Sequence, residues 1–97
     1  MASSKEYLHF ILDQLSGLEE VTSRSMMGEY ILYYRGKIAA YICDDRLLVK
    51  PTPSAKSLLP TAPRALPYEG AKKEMLLVED VDRRELLTRL FQAMYGE

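Results

Sequence analysis

The sequence predicts an α+β fold in two layers. It has an antiparallel β-sheet, made of a four-strand meander plus one further strand, with N- and C-terminal helices packed on one face. Three observations carry this prediction. Apolar residues recur at helical spacing near both ends of the chain. Between Glu20 and Lys50 the pattern changes to short β-prone stretches separated by two-residue turn signals. All five prolines fall between Pro51 and Pro67, which sets the meander apart from the last strand and helix.

The first helix is announced by Ser3-Ser4-Lys5-Glu6, which reads as a capping box with the Ser3 hydroxyl accepting from the Glu6 amide. Tyr7, Leu8, Ile11, Leu12, Leu15 and Leu18 follow at helical spacing, with Asp13 and Gln14 on the opposite side. Gly17 supplies the stop, so the helix is expected from about Ser4 to Ser16. The stretch from Glu20 to Met26 reads as a strand, with Gly28 marking the bend after it. Arg35-Gly36 then joins Ile31–Tyr34 to Lys37–Ile42, and Asp44-Asp45 joins that run to Arg46–Lys50. Glycine and Asp tolerate the positive φ that tight hairpins require.

Proline cannot donate to a sheet ladder, so the segment from Pro51 to Pro67 is no central strand. Thr52-Pro53 suits an N-cap and first helical position, predicting one short helix over Ser54 to Leu59. Glu74 to Glu79 is a brief apolar run consistent with a buried strand. Asp82-Arg83-Arg84-Glu85 reads as a second capping box, with Val81 and Leu86 as its hydrophobic staple. Leu86, Leu87, Leu90, Phe91 and Met94 share one face of a helix from about Arg83 to Tyr95.

The turns imply a register, and the register sorts side chains by face. It predicts a core face of Ile31, Tyr33, Ile38, Ala40, Ile42, Leu47 and Val49 beneath the helices. The other face would then carry Tyr30, Leu32, Tyr34, Tyr41 and Leu48, with Lys37 and Arg46 among them. A face that apolar is expected to be a contact surface for a protein partner, most simply a second copy in a homodimer. The plain alternative is a wetted sheet face on a monomer, or one covered by the Pro51–Pro67 segment.

Ninety-seven residues make a single domain over 1–97, and a hydrophobic share of 47% is enough for a packed core. Thirteen basic against fourteen acidic residues give a net charge of −1, which argues against direct nucleic-acid binding. A four-stranded sheet bearing aromatics resembles single-strand RNA platforms, but their signature motif is absent. One cysteine allows no intrachain disulfide, and no apolar run approaches a membrane span. A cytoplasmic location is the expectation.

No catalytic constellation or metal framework is legible, and no cofactor is expected. His9 is the single histidine, placed beside core positions on the first helix. Cys43 has only Arg46 across the turn to lower its pKa, so an inert thiol is expected. Asp44 and Asp45 are adjacent turn formers that point apart. Arg83 and Arg84 open the last helix among acidic neighbours, as a solvated cap or as an anchor for an acidic partner.

The run from Met26 to Lys37 (Met-Met-Gly-Glu-Tyr-Ile-Leu-Tyr-Tyr-Arg-Gly-Lys), with Asp44-Asp45-Arg46-Leu47-Leu48-Val49-Lys50 after it, resembles the N-terminal domain of the TfoX competence regulators. Pro67-Tyr68 and the two terminal helices also sit in the family's order. Met27 stands where that family usually has Phe, and Glu29 replaces a second glycine. The chain shows no counterpart of the separate C-terminal domain of full regulators. The resemblance implies helices on an antiparallel sheet and a role linked to competence-gene regulation, and it carries over no catalytic residues. The function expected is therefore a non-enzymatic regulatory, protein-binding domain. The alternative is a small-molecule sensor or unrecognised enzyme using a pocket under the Pro51–Pro67 segment.

Overall fold

The structure, a computed structural model, describes residues 3–68 and 70–97. In chain order the elements are α1 (Lys5–Gln14), β1 (Val21–Met26), β2 (Glu29–Tyr34), β3 (Lys37–Ile42) and β4 (Leu47–Val49). They continue with α2 (Pro53–Leu58), β5 (Arg64–Ala65), β6 (Met75–Val78) and α3 (Arg84–Tyr95). All strand pairs are antiparallel, in the order β1-β2-β3-β4-β6-β5. The helices lie on one face, as the sequence predicts. Leu8, Ile11 and Leu15 of the α1 segment meet Ala55 of α2 and Leu87, Leu90 and Phe91 of α3 over one sheet surface.

The meander rests on three two-residue turns of the same kind. Met27-Gly28, Arg35-Gly36 and Asp44-Asp45 all have positive φ at both central positions, from 52° to 86°. This geometry matches the right-handed twist of the flanking strands, which is why it recurs in short hairpins. Asp44-Asp45 contains no glycine and is held from outside instead, as described below.

Four expectations about the elements need correction. The sheet has six strands, because Arg64–Ala65 pairs with β6 at the edge, where Leu77 N–H donates to Pro63 O (2.9 Å). Proline residues flanking an edge strand are compatible with pairing on its other side. The first helix is capped by Ser4, whose Oγ accepts from Tyr7 N–H (3.1 Å), and not by Ser3. Arg83, with no side-chain cap bond, occupies the N-cap of α3, so Asp82 closes no capping box. Gln14, read as solvent-facing, is buried and donates through Nε2 to Val81 O (2.9 Å), tying α1 to the start of α3.

The assignment of β2 to its face also changes. Tyr34 pairs with Lys37 and Tyr33 with Ile38, as the turn requires, but Leu32 then pairs with Ala40. Ala39 is the extra residue of a β-bulge. A bulge breaks the alternation of side chains, so Ile38 and Ala40 no longer share a face. Ala39 and Ala40 both turn to the helices, while Ile38 is exposed. The core of β2 is accordingly Leu32 and Tyr34, with Tyr30 half-buried beside them, and Ile31 and Tyr33 point the other way. Ala40, Ile42, Leu47 and Val49 lie in the helix-covered core as expected. Tyr34 sets its ring edge-on to Tyr95 of α3 at 5.3 Å.

Candidate functional site

The outer sheet face is built on strands whose opposite side is already sealed by helices. Leu48, Cys43 and Met75 form a small second cluster there, with Tyr41, Ala65 and Leu77 packed around it. The loop after β5 folds over this cluster. Arg46 fixes it there, donating through Nη2 to Leu66 O (3.2 Å) and through Nε to Cys43 O (3.2 Å). Between that loop and the β1–β2 hairpin runs a groove of about 1010 Å³. Ile31, Tyr41 and Met75 contribute apolar surface to its floor, Met26 and Tyr68 stand at its rim, and Lys50, Arg64, Lys72 and Lys73 line it with positive charge.

The residues expected to form a tyrosine face do not stay together. Leu32 and Tyr34 are buried under the helices, and Tyr30 is half-buried on the same side. Leu48 does point outward but is fully covered within the second cluster. Lys37 sits at the helix side, its Nζ over the Tyr95 ring (4.9 Å) and donating to Tyr95 O (3.1 Å). Tyr41 borders the groove, and Arg46 braces its loop. A homodimer through that set of side chains therefore loses its surface. Its physical cause is the Ala39 bulge, which exchanges the faces of β2.

The groove residues that the sequence reading missed are Met26, Ile31, Arg64, Tyr68, Lys72 and Lys73. Lys72-Lys73 beside the apolar run of β6 is a visible signal. That these lysines lie across from Tyr41 follows only from where the loop folds.

At the end of the sheet nearest the N-terminus, three separately read motifs meet in one polar junction. Ser3 N–H donates to Gly28 O (3.0 Å), and Ser3 Oγ donates to Glu29 Oε2 (3.3 Å). Glu29 Oε2 also accepts from Asp44 N–H (2.7 Å), while Ser3 Oγ accepts from Asp45 N–H (3.0 Å). Asp45 Oδ1 in turn accepts from Ser4 N–H (2.8 Å). These bonds clamp the two Asp residues in their positive-φ turn and staple the chain start onto two hairpins. The Met-Gly-Glu bend and the Asp-Asp turn are thus read as structural partners. Among the described residues no group of three or more His, Cys, Asp or Glu is placed to hold a metal ion.

Cys43 is buried next to this junction. Burial, the charge of Glu29 and a hydrogen bond to Glu29 push its thiol up to about 11, with Arg46 opposing. A thiol so raised is protonated at neutral pH and a poor nucleophile. His9 is exposed on α1. Arg84 donates to Asp13 Oδ2 (3.2 Å) and Ser16 Oγ (2.9 Å), so it braces α1 against α3. Arg83 lies 3.9 Å from Asp80 in a solvated pair.

Among the described residues no helix is long and apolar enough to cross a membrane. The chain is similar to an uncharacterised 12.7 kDa protein in the trpE 5′ region of Spirochaeta aurantia. The two are 33% identical over 96 residues, an alignment spanning 96% of this chain and 84% of that protein. The family described as the TfoX N-terminal domain matches residues 13–92, from the end of α1 to within α3. That span takes in the whole sheet and both hairpins of the resemblance, and the chain belongs to the TfoX N-terminal domain family.

Proposed function

We propose that this domain is a cytoplasmic, non-enzymatic regulatory module that binds a protein partner in the groove of its outer sheet face. The carrying observation is the groove itself: apolar floor, basic lining and a rim that keeps Met26 and Tyr68 open to solvent. Burying apolar area is worth roughly 25 cal/mol per Å², so exposed side chains of that size in a concavity favour association. The protonated state of the Cys43 thiol supports the non-enzymatic side of the reading. Membership of a family named for a competence regulator supports a role in gene regulation, with competence as the process the resemblance implies.

The groove also coincides with the place where a small-molecule pocket was expected, since Pro51, Arg64 and Pro67 line it. Two apolar side chains held at the rim favour a macromolecule, because a small ligand seated on the floor would leave them wet.

Affinity capture from host cells tests the reading. The Met26→Asp/Tyr68→Asp variant changes two exposed side chains and is expected to keep the fold while losing a protein retained by the wild type. Undiminished retention by a folded variant overturns the proposal.

A further inference from the structure

We infer that the groove selects an acidic segment of its protein partner, one that presents an aliphatic or aromatic side chain flanked by carboxylates. This rests on the protein-binding reading above and adds the partner's chemistry.

The chain as a whole carries a net charge of −1, so its cations are not in surplus. Four of them nevertheless gather at one site, where Lys50, Arg64, Lys72 and Lys73 face a single described acid, Glu74. Arg24 stands beside them as the cross-strand partner of Ile31, on the same face of the sheet. None of the five makes an ion pair with another described residue; the ion pairs found use Arg35, Arg83 and Arg84. All five are exposed. Like charges gathered at one site repel one another, and no described residue forms a compensating ion pair with them. A partner bearing carboxylates removes that repulsion.

Charges of this kind steer encounter and exclude wrong partners more than they add affinity. Affinity falls to the apolar surface between them. Met26 and Tyr68 are 48% and 56% exposed, and Tyr41 lies half-buried at the floor. Apolar side chains ringed by polar groups are where interfaces concentrate binding energy. A basic segment meets like charge here, and an uncharged one leaves the cations unpaired. A nucleic acid would use the same cations. With fourteen acids in a chain of net charge −1, the surface beyond the groove opposes a longer polyphosphate, and Tyr41 is too covered to serve as a stacking platform.

The test is selection of random displayed peptides against the full chain, with Lys72→Glu/Lys73→Glu and Met26→Asp/Tyr68→Asp as parallel baits whose folding is checked by circular dichroism. The wild type is expected to enrich Asp or Glu on both sides of Leu, Ile or Phe. Charge reversal should erase the acidic preference and weaken the best peptide by roughly tenfold, with a matching sensitivity to salt. Uncharged apolar peptides that bind wild type and charge-reversed baits equally, but not the Met26/Tyr68 variant, overturn the acidic class and leave the protein-binding reading standing. Enrichment of no groove-dependent peptide overturns both. Salt-sensitive binding of a short oligothymidylate that the charge reversal abolishes overturns the inference in favour of nucleic acid. Salt-sensitive self-association abolished in the same way overturns it in favour of a second copy.

Discussion

Replacing Tyr34 and Tyr33 separately by alanine tests the bulged register through two neighbours of identical chemistry. Tyr34 is buried under α3, with its ring against Tyr95 at 5.3 Å and the Arg35 guanidinium 5.5 Å from its centroid. Truncating a buried aromatic side chain costs about 3–4 kcal/mol in lost transfer energy and residual cavity. Tyr33 lies half-buried on the open outer face, opposite Thr22 and Ile38. Its truncation removes cross-strand contacts worth about 1 kcal/mol. For a domain of this size each kcal/mol moves Tm by roughly 4–8 °C. Tyr34→Ala should therefore melt about 12–32 °C lower than wild type and Tyr33→Ala only about 4–8 °C lower. Urea unfolding followed by far-UV circular dichroism gives the free energies directly. Equal losses, or a larger loss at Tyr33, would refute the exchanged faces and restore strict alternation through Ala39.

Further outcomes follow from the polar junction and its neighbours. Glu29→Ala removes the acceptor for Asp44 N–H and Ser3 Oγ, and should cost about 2 kcal/mol while lowering the Cys43 pKa in a thiol titration. Asp44→Gly keeps the amide that bonds Glu29 and relieves a φ of 54°, so denaturant unfolding should show a gain of about 0.5–1 kcal/mol. The Cys43 thiol is raised from 9.0 to about 11, so the native state holds its proton more tightly than the unfolded chain. That contribution is fully present below the unfolded pKa and is lost as pH rises through about 11, with Tyr7 and Tyr41, also raised by burial, adding in the same direction. Stability measured against pH should fall through this alkaline window, less steeply in Cys43→Ser. His9→Ala and Cys43→Ser should leave activity in host cells intact, and loss of that activity in either stably folded variant would contradict a non-enzymatic module.

The parts of the fold legible in the sequence are those set by local rules. The extent of α3, the Thr52-Pro53 start of α2, the turns at Arg35-Gly36 and Asp44-Asp45 and the bend at Gly28 follow from helical spacing, one N-cap and glycine or Asp at positive φ. The sequence places the cap of α1 one residue early because Ser3 and Ser4 are both good cap residues. Only the distant Glu29 and Asp45 decide which of them is drawn into the junction. The faces of β2 were illegible for a different reason. Tyr-Ile-Leu-Tyr-Tyr is apolar at every position, so its own alternation carries no parity and the assignment leaned on β3. Ala39-Ala40 is the one local hint of the bulge, since two small side chains can sit side by side against the helices. The groove is the least legible feature, because its cations come from the residue after β4, from β5 and from a loop that only the folded chain brings together.

The most direct measurement of the central claim is site-specific photo-crosslinking in host cells. A crosslinking residue replaces Tyr68 at the groove rim in one strain and Arg89 on the exposed side of α3 in another, since both positions face solvent. A protein seated in the groove gives a discrete adduct from position 68 that is absent from position 89 and is lost when Lys72 and Lys73 are reversed to Glu. Adducts formed equally from both positions, or from position 89 alone, would contradict it.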